Sequence, residues 1–427
     1  QLSDPNCMHL GRLILLVSAA LPPLTSASSA IPSSAAPRLR PLTAELLTSH
    51  QFNLATPLKM PKRSSEEMRG GDGGGETIES VKDYYGKVLA TTKDLKTSAC
   101  TAGGKPHARI IDIINTIPNE VNEKFYGCGA PLPMGVEGLR VLDLGSGSGR
   151  DCYVMAALVG EEGSVIGLDM TAEQLSVARA HHEGFCTKTL GYKKSNLKFV
   201  EGYIERIADA GIAPESVDLV ISNCVVNLSP DKPRVLKEVF DALVPGGEFY
   251  FSDVYCDRRL PLEVQKHEVL WGECIAGALY TNDFIRHARA AGFADPRVLA
   301  SAPISIEDPE LKAICGEAKF FSITYRLFKL PGQLETLCED YGQAVKYKGT
   351  IKGQDNAYRL DDGHLFEKNK IALVCGNSAA MLGEGGVSWL AKHFEIIGDR
   401  AVHYGEFPCH GPPAPLGGDP TAGGACC

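Results

Sequence analysis

The stretch at residues 139–158 constrains the fold most, because it joins a short apolar run to a glycine-rich loop and then to a helical pattern. The apolar run at 139–144 is bounded by glycines, which is typical of a buried strand. The loop places a glycine at every second position: Gly145, Gly147 and Gly149. Asp151 stands where a carboxylate stabilises the first turn of a helix. This order predicts a strand, a tight loop that cradles a ligand, and a helix.

The sequence beyond this stretch alternates between strand and helix patterns. Further strands are predicted at 165–169, 197–200, 217–222, 248–252, around Val298 and at 320–330. Helices are predicted at 172–182, 232–244 and 282–292, with Pro245-Gly246-Gly247 closing the second of them. The alternation predicts an α/β fold with a doubly wound, mostly parallel sheet. In such sheets, ligands bind outside the carboxyl ends of the strands.

Composition divides the 427 residues into four parts. Residues 1–76 are rich in Ser, Ala and Pro, which predicts a disordered extension that resembles an organelle transit peptide or is a translated upstream extension. Residues 77–137 form an N-terminal segment that carries two cysteines in glycine-flanked or polar loops. Residues 138–330 hold the predicted sheet, and residues 331–427 a small C-terminal domain with a Gly/Pro-rich tail that ends in two cysteines.

Charge, hydropathy and cysteine content exclude several classes of function. The net charge of -9 argues against a nucleic-acid partner, which calls for a basic face. No apolar run reaches the length of a membrane-spanning helix, so we expect no membrane partner. The 14 cysteines lack the CxxC spacing of a zinc ribbon and point to a reducing compartment with mostly free thiols. Thiols this numerous suggest a soft ligand or redox chemistry, although the simpler interpretation is that most are small apolar residues buried in the core.

Two acids near the glycine loop favour S-adenosylmethionine over a dinucleotide. The dinucleotide motif needs a glycine where Arg150 stands. Asp169 ends the second strand, where a carboxylate can accept both ribose hydroxyls of an adenosine. Asp143 lies in the first strand, where it can face the ammonium of a methionine group but would repel a pyrophosphate. The alternative is an ordinary strand-to-helix turn with a buried, hydrogen-bonded Asp143.

Other strand ends supply further candidates. Ile204, after the third strand, is placed to contact the adenine, although an ordinary loop explains it equally well. Asn223 and Cys224 end the fourth strand, at the position that faces the transferred methyl group. Cys274 follows a helix-like run that begins near Leu262, but a lone cysteine is more often buried filler than a ligand.

Several motifs together resemble the arsenite methyltransferases. They are DLGSGSGRDCYV at 143–154, GLDMT at 167–171, GYIE at 202–205, SNCVVNL at 222–228, PDKPRVLKE at 230–238, YFSDVY at 250–255 and WGECIAGALY at 271–280. KDYYGKVL at 82–89 and YGCG at 126–129 extend the resemblance, which covers residues 77–330. The glycine loop alone is a weak signal, whereas SNC, WGEC and YGCG together are specific. The resemblance implies the seven-stranded, Rossmann-like class I methyltransferase fold, with S-adenosylmethionine as methyl donor and no obligatory metal ion.

The resemblance also implies roles for individual residues. The pair that binds As(III) would be Cys224 and Cys274, with Cys128 as a further ligand. Cys100 and Cys128 would form a relay in which a disulfide returns the oxidised arsenic to As(III). The cofactor would contact the loops after the strands: Asp143, Gly145, Gly147, Gly149, Asp169, Met170, Ile204, Glu205 and Asn223.

These assignments predict an enzyme of arsenic detoxification that converts arsenite to mono- and dimethylated products. We expect trivalent arsenicals as substrates, thioredoxin or glutathione as reductant, a monomer, and a cytosolic location, or a plastid or mitochondrial one if the N-terminal extension is a transit peptide. Two alternatives remain at this point. One is a methyltransferase for a quinone, sterol or other small acceptor, which would not need cysteines in the acceptor pocket. The other is a non-enzymatic thiol protein that sequesters metalloids, which would not need the adenosine-binding residues.

Overall fold

A computed structural model of the chain describes residues 106–125, 127 and 129–409. The predictions for the N-terminal extension, Cys100 and Cys128 fall outside the described residues, and so does the cysteine pair at the end of the chain.

The main sheet confirms the predicted doubly wound α/β architecture. Its strands lie in the order β3-β2-β1-β4-β5-β8-β7, with a short β6 paired beside β5. Their bounds are β1 Arg140–Leu144, β2 Ser164–Asp169, β3 Leu197–Glu201, β4 Val217–Asn223, β5 Leu243–Cys256, β6 Leu279–Tyr280, β7 Arg297–Ile304 and β8 Phe320–Phe328. β1 to β6 pair in parallel, and β8 runs antiparallel between β5 and β7. The order reverses at β1, which creates the crevice where such sheets bind ligands.

Helices precede the sheet and connect its strands. Their bounds are α1 Ala108–Ile114, α2 Asn119–Glu123, α3 Arg150–Val159, α4 Ala172–Gly184, α5 Lys232–Ala242, α6 Leu262–Gln265, α7 Glu268–Gly272, α8 Thr281–Ala291 and α9 Pro309–Cys315. A π-helical turn at Phe185–Thr189 and 3₁₀ turns at Ala208–Ala210 and Val226–Leu228 complete this part. None of the helices in the described ranges has the length and apolar character that a membrane span requires.

Two predicted helices end differently in the structure. The helix predicted at 232–244 stops at Ala242, and Leu243 already adopts an extended conformation at the start of β5. Pro245 explains this, because a proline disfavours the helical conformation in the residue before it. The helix-like run from Leu262 is divided into α6 and α7 by His267, which is extended and whose Nδ1 accepts a hydrogen bond from Leu270 N at 3.3 Å as the cap of α7.

The region after the main sheet contains more regular structure than its loop-rich sequence predicts. Its elements are β9 Glu339–Asp340, β10 Ala344–Tyr347, β11 Ala357–Arg359, β12 Leu365–Glu367, β13 Ile371–Leu373, α10 Gly376–Leu382, β14 Phe394–Ile397 and β15 Gly405–Glu406, with 3₁₀ turns at Glu384–Gly386 and Ala391–His393. Buried Val345 and Phe394 belong to the same hydrophobic cluster as Val141 of β1 and Phe328 of β8. This region therefore shares a core with the main sheet.

A buried ion pair joins the C-terminal region to the sheet. Arg326 on β8 donates from Nε and Nη2 to the two carboxylate oxygens of Glu248 on β5, at 2.6 and 2.9 Å. Both residues are at most 1% exposed. Arg326 Nη1 also donates to the Leu360 carbonyl at 3.1 Å, and the Trp389 indole donates to Glu248 at 3.0 Å. The hydrogen bonds of both charged groups are therefore completed by partners from the main sheet and from the C-terminal region.

We expect the Arg326→Met variant to lower the free energy of unfolding by about 3–5 kcal/mol, because it leaves the Glu248 carboxylate buried without its counter-charge. The double variant Arg326→Met/Glu248→Leu removes both charges and should recover part of that loss. Lys237→Met, which removes the exposed pair with Asp241, serves as control and should cost about 0.5 kcal/mol or less. Urea denaturation followed by circular dichroism measures all three, and equal losses would contradict this account.

Candidate active site

A cleft of about 970 Å³, its open mouth included, lies where the sheet order reverses. Most residues predicted to bind the cofactor line it, together with the candidate acceptor cysteine: Asp143, Gly145, Gly147, Asp169, Met170, Ile204, Glu205, Asn223 and Cys224. The sequence interpretation missed other residues of its wall, including Phe125, Ser146, Asp151, Thr171 and Gln174. Ser146 and Asp151 belong to the glycine-rich motif itself, so the signal for them was present in the sequence.

The glycine loop is held at the carboxyl ends of β1 and β2 by backbone hydrogen bonds. Gly145 N donates to the Leu168 carbonyl at 2.8 Å, and Gly147 N donates to the Asp169 carboxylate at 2.8 Å. Gly145 and Gly147 have φ of +66° and +52°, a region that favours glycine. A Cβ on Gly147 would meet no atom within 4 Å, which leaves its face toward the cleft open.

Gly149, which was also predicted to bind the cofactor, is not among the residues that line the cleft. It has φ of +91° and caps the N-terminus of α3. A Cβ at this position would lie 2.7 Å from the Phe199 ring on β3. The glycine therefore allows close packing of α3 against the sheet.

Two buried acids line the cleft, and burial disfavours the ionised form of each. Asp143 is 3% exposed, and burial, followed by the charge of Asp151, raises its pKa well above the ordinary value. Cys152 Sγ donates to Asp143 Oδ2 at 3.1 Å. Burial also raises the pKa of Asp169, whose other oxygen accepts a hydrogen bond from Thr171 N at 2.8 Å. A cationic ligand would stabilise the ionised form of these carboxyls.

Asn223, at the end of β4, anchors an upstream segment to the cleft. Its Oδ1 accepts from Gly129 N, and its Nδ2 donates to the Gly129 carbonyl and to Asp151 Oδ2, all at 3.0 Å. Arg150 pairs with the same Asp151 at 2.9 Å and covers the ring of Phe125. The amide of Asn223 is thus engaged by protein groups, which makes it a positioning residue of this wall.

The two predicted arsenic-binding cysteines come together beside the cleft. Cys224 follows β4 and Cys274 follows α7, and Cys274 Sγ donates to the Cys224 carbonyl at 3.2 Å. Their sulfurs and a carboxylate oxygen of Asp253 all lie within 4.8 Å of one another. Cys224 is disulfide-bonded. A metalloid could bind Cys224 only after this disulfide is reduced.

The backbone at both cysteines is left-handed. Four described residues other than glycine have positive φ, and Cys224 and Cys274 are two of them, at +61° and +62°. Such conformations are unfavourable for residues with a side chain and persist where the surrounding structure imposes them. Here they direct two sulfurs from separate elements toward one point.

Asp253 and Lys232 were missed by the sequence interpretation. Asp253 is fully buried on β5, where it accepts hydrogen bonds from Asn227 N at 2.9 Å and Val254 N at 2.8 Å. Burial raises its pKa to about 7. Burial lowers the pKa of Lys232 to about 8, and its Nζ donates to the Ser229 carbonyl at 2.8 Å. The sequence did carry a signal for Asp253, because an acidic residue inside the apolar run YFSDVY is unusual.

Comparisons with known proteins agree with this geometry. A family model described as a methyltransferase domain matches residues 136–292. An arsenite methyltransferase from Aquipseudomonas alcaligenes is 50% identical over 351 residues, which cover 82% of this chain and 99% of that protein. The arsenite methyltransferase of Mus musculus is 44% identical over 72% of this chain and 81% of its own length.

A solved structure extends the similarity to three dimensions. The crystal structure of an arsenic(III) S-adenosylmethionine methyltransferase from Chlamydomonas reinhardtii is 60% identical in sequence, with a TM-score of 0.69 over 71% of this chain and all of that chain. Neither a quinone or sterol acceptor nor a non-enzymatic role agrees with matches of this extent. The chain therefore belongs to the arsenite methyltransferases, the S-adenosylmethionine-dependent enzymes that its motifs resemble.

Proposed function

We propose that Cys224 and Cys274 hold trivalent arsenic at the edge of the cleft, where it receives a methyl group from S-adenosylmethionine. The observation that carries this proposal is the convergence of two sulfurs and one carboxylate within 4.8 Å, with Cys224 also in the cleft wall. Thiolates are the ligands that a soft, thiophilic centre prefers. Holding the two reactants side by side supplies much of the rate acceleration in a transfer of this kind.

The residues of the cleft fit S-adenosylmethionine, which supplies the methyl group when bound. Asp143 and Asp169 would face its ammonium and ribose groups, and Ile204 would contact the adenine. The Ser146 hydroxyl is buried in the cleft wall without a hydrogen-bond partner among the described residues. A polar ligand would satisfy it, since an unpaired buried hydroxyl costs free energy. The acids disfavour a ligand that places a pyrophosphate at the loop.

Asp253 would relay protons as arsenic binds. Each As–S bond forms as an As–O bond of arsenous acid breaks, and the thiol proton leaves with the hydroxide as water. A nearby carboxylate can take the proton from the thiol and pass it to the departing hydroxide. A carboxylate oxygen of Asp253 lies within 4.8 Å of both sulfurs. Lys232 would balance its charge, because the two groups interact in the buried site.

The relay cysteines would restore the arsenic after each transfer. Methylation uses the arsenic lone pair and leaves As(V), which needs two electrons to return to As(III). Oxidation of two thiols to a disulfide supplies both electrons and releases two protons, and thioredoxin or glutathione would then reduce that disulfide. Cys100 and Cys128 would fill this role. We place this activity in arsenic detoxification by a cytosolic monomer.

We expect Cys274→Ser or Cys224→Ser to abolish methylation of both arsenite and monomethylated As(III), because each substitution removes one of the two thiolates that both acceptors need. Cys100→Ser or Cys128→Ser should spare the transfer to monomethylated As(III), because this acceptor already carries one carbon ligand and needs only two thiolates. Both variants should fail to convert arsenite to trivalent monomethylated arsenic, because the relay disulfide cannot form. Chromatographic separation of the arsenical products after incubation with reductant and S-adenosylmethionine measures both steps.

Cys315→Ser is the matched control, because Cys315 is a buried free thiol that lies outside the site. Full activity of this variant, with unchanged S-adenosylmethionine binding in Cys274→Ser, would assign the loss to arsenic binding. Normal methylation of arsenite by Cys224→Ser would rule out the proposed site.

We expect the affinity for S-adenosylmethionine to fall as the pH decreases through the raised pKa of Asp143. The cationic ligand favours the carboxylate, so a protein protonated at Asp143 must release a proton when it binds. Asp143→Asn should weaken binding by about 10- to 100-fold at neutral pH and remove this pH dependence. Isothermal titration in buffers of different ionisation enthalpy measures both quantities, with exposed Asp209→Asn as control. No net proton release from the wild-type protein would contradict the assignment.

We expect Asp253→Asn to raise the KM for arsenite about 10-fold or more at neutral pH, with the affinity for S-adenosylmethionine unchanged. The amide preserves the acceptor for Asn227 N but cannot take up a thiol proton. In the wild-type protein, kcat/KM for arsenite should rise with pH through about 7, where the carboxyl ionises. This rise should disappear in the variant. A ratio of wild-type to variant kcat/KM that stays constant across pH would contradict the role of Asp253 as a base.

A further inference from the structure

A second group of three thiols lies in the C-terminal region. The sulfurs of Cys338, Cys375 and Cys409 are all within 4.8 Å of one another. All three carry free thiols, and none of them lines the cleft beside β1 and β4. We refer to these residues as the thiol trio.

Backbone structure brings the trio together from three separate segments. β9 and β15 pair antiparallel, and Phe407 N donates to the Cys338 carbonyl at 2.7 Å, which continues that pairing toward Cys409. Cys375 caps α10 and packs in the same small apolar cluster with Phe407. The three sulfurs are therefore placed by the fold, and not by one flexible loop.

The surroundings favour thiolate character at the centre of the trio. Hydrogen bonds from Cys338 and Cys409 and the charge of Arg297 lower the pKa of Cys375. Arg297 Nη2 lies 4.0 Å from Cys375 Sγ, and its guanidinium is fixed by Asp295 at 2.7 Å and Asp361 at 2.9 Å. One sulfur thus accepts hydrogen bonds from two thiols, an arrangement suited to reaction with a thiophilic centre.

The ligand set distinguishes between thiophilic ions. The described residues supply three sulfurs here and no histidine or carboxylate as a fourth ligand. Zinc in structural protein sites is almost always four-coordinate and tetrahedral, whereas As(III) has three bonds and a lone pair. Arg297 beside the sulfurs would also repel a divalent cation, but the product of arsenite with three thiols is neutral.

We propose that the thiol trio is a second binding site for inorganic As(III), separate from the catalytic cysteines. In the reaction, three As–S bonds form and three As–O bonds of arsenous acid break, and the three thiol protons leave with the hydroxides as three water molecules. Arsenic remains As(III), so no oxidant or reductant takes part. Cys409 is partly exposed and gives the ion a path from solvent. The choice of arsenic rests on the proposed function, whereas the presence of a three-thiol site does not.

The test uses the reduced full-length protein, arsenite alone, and arsenic quantification after gel filtration. We expect Cys375→Ser to bind one arsenic fewer per chain than the wild-type protein and to retain its methylation rate at saturating arsenite. Cys274→Ser should lose a different equivalent together with the activity, and the two losses should add in the double variant. Cys315→Ser is the control and should lose neither.

A second measurement covers the case in which a variant fails to fold. Arsenite should raise the melting temperature of Cys274→Ser, because a ligand that joins three segments stabilises the folded state, and this rise should be absent from Cys274→Ser/Cys409→Ser. X-ray absorption of the Cys274→Ser complex should give three sulfur neighbours for arsenic. Unchanged stoichiometry in Cys375→Ser would overturn the proposal, and so would zinc in the trio that arsenite does not displace. If the trio binds no arsenic but Cys274→Ser still loses activity, this proposal fails and the proposed function stands.

Discussion

The parallel pairing of β1 with β4 is the constraint on which the site depends. Leu144 of β1 lies opposite Ser222 of β4, so the glycine loop that follows one strand stands beside Asn223 and Cys224 at the end of the other. Because side chains alternate along a strand, a shift of one residue in this register would turn these groups to opposite faces. The cleft for the methyl donor and the thiol for the acceptor are adjacent for this reason.

The acceptor side combines strain with burial. Left-handed backbone at Cys224 and Cys274 directs both sulfurs to the buried carboxylate of Asp253, and the same burial raises the pKa of that carboxyl. Left-handed backbone and a buried carboxylate are each unfavourable alone, so both require rigid surrounding structure. The long β5 and its antiparallel neighbour β8 provide it, since Asp253 lies in the middle of their ladder.

The C-terminal region is attached by charge as well as by apolar contact. The Arg326–Glu248 pair contacts Leu360 and Trp389, so the strands after β8 complete the hydrogen bonding of buried charges in the sheet. Arg297 extends this arrangement, because it starts β7 and also lies beside Cys375 of the thiol trio. The sheet thereby fixes the electrostatic environment of a thiol group more than 70 residues further along the chain.

The sequence by itself determined the order of β1 to β5, the glycine loop, the acids Asp143 and Asp169, and the family, because these are local patterns of apolar period, glycine spacing and short motifs. It also pointed to Cys224 by its place at the end of the fourth strand, and to the pairing of Cys224 with Cys274 through the resemblance. The convergence of those cysteines with Asp253, the packing role of Gly149 and the grouping of the thiol trio were decided by the tertiary structure. Each depends on contacts between residues far apart in the chain, which strand pairing and helix packing create and which no local pattern encodes.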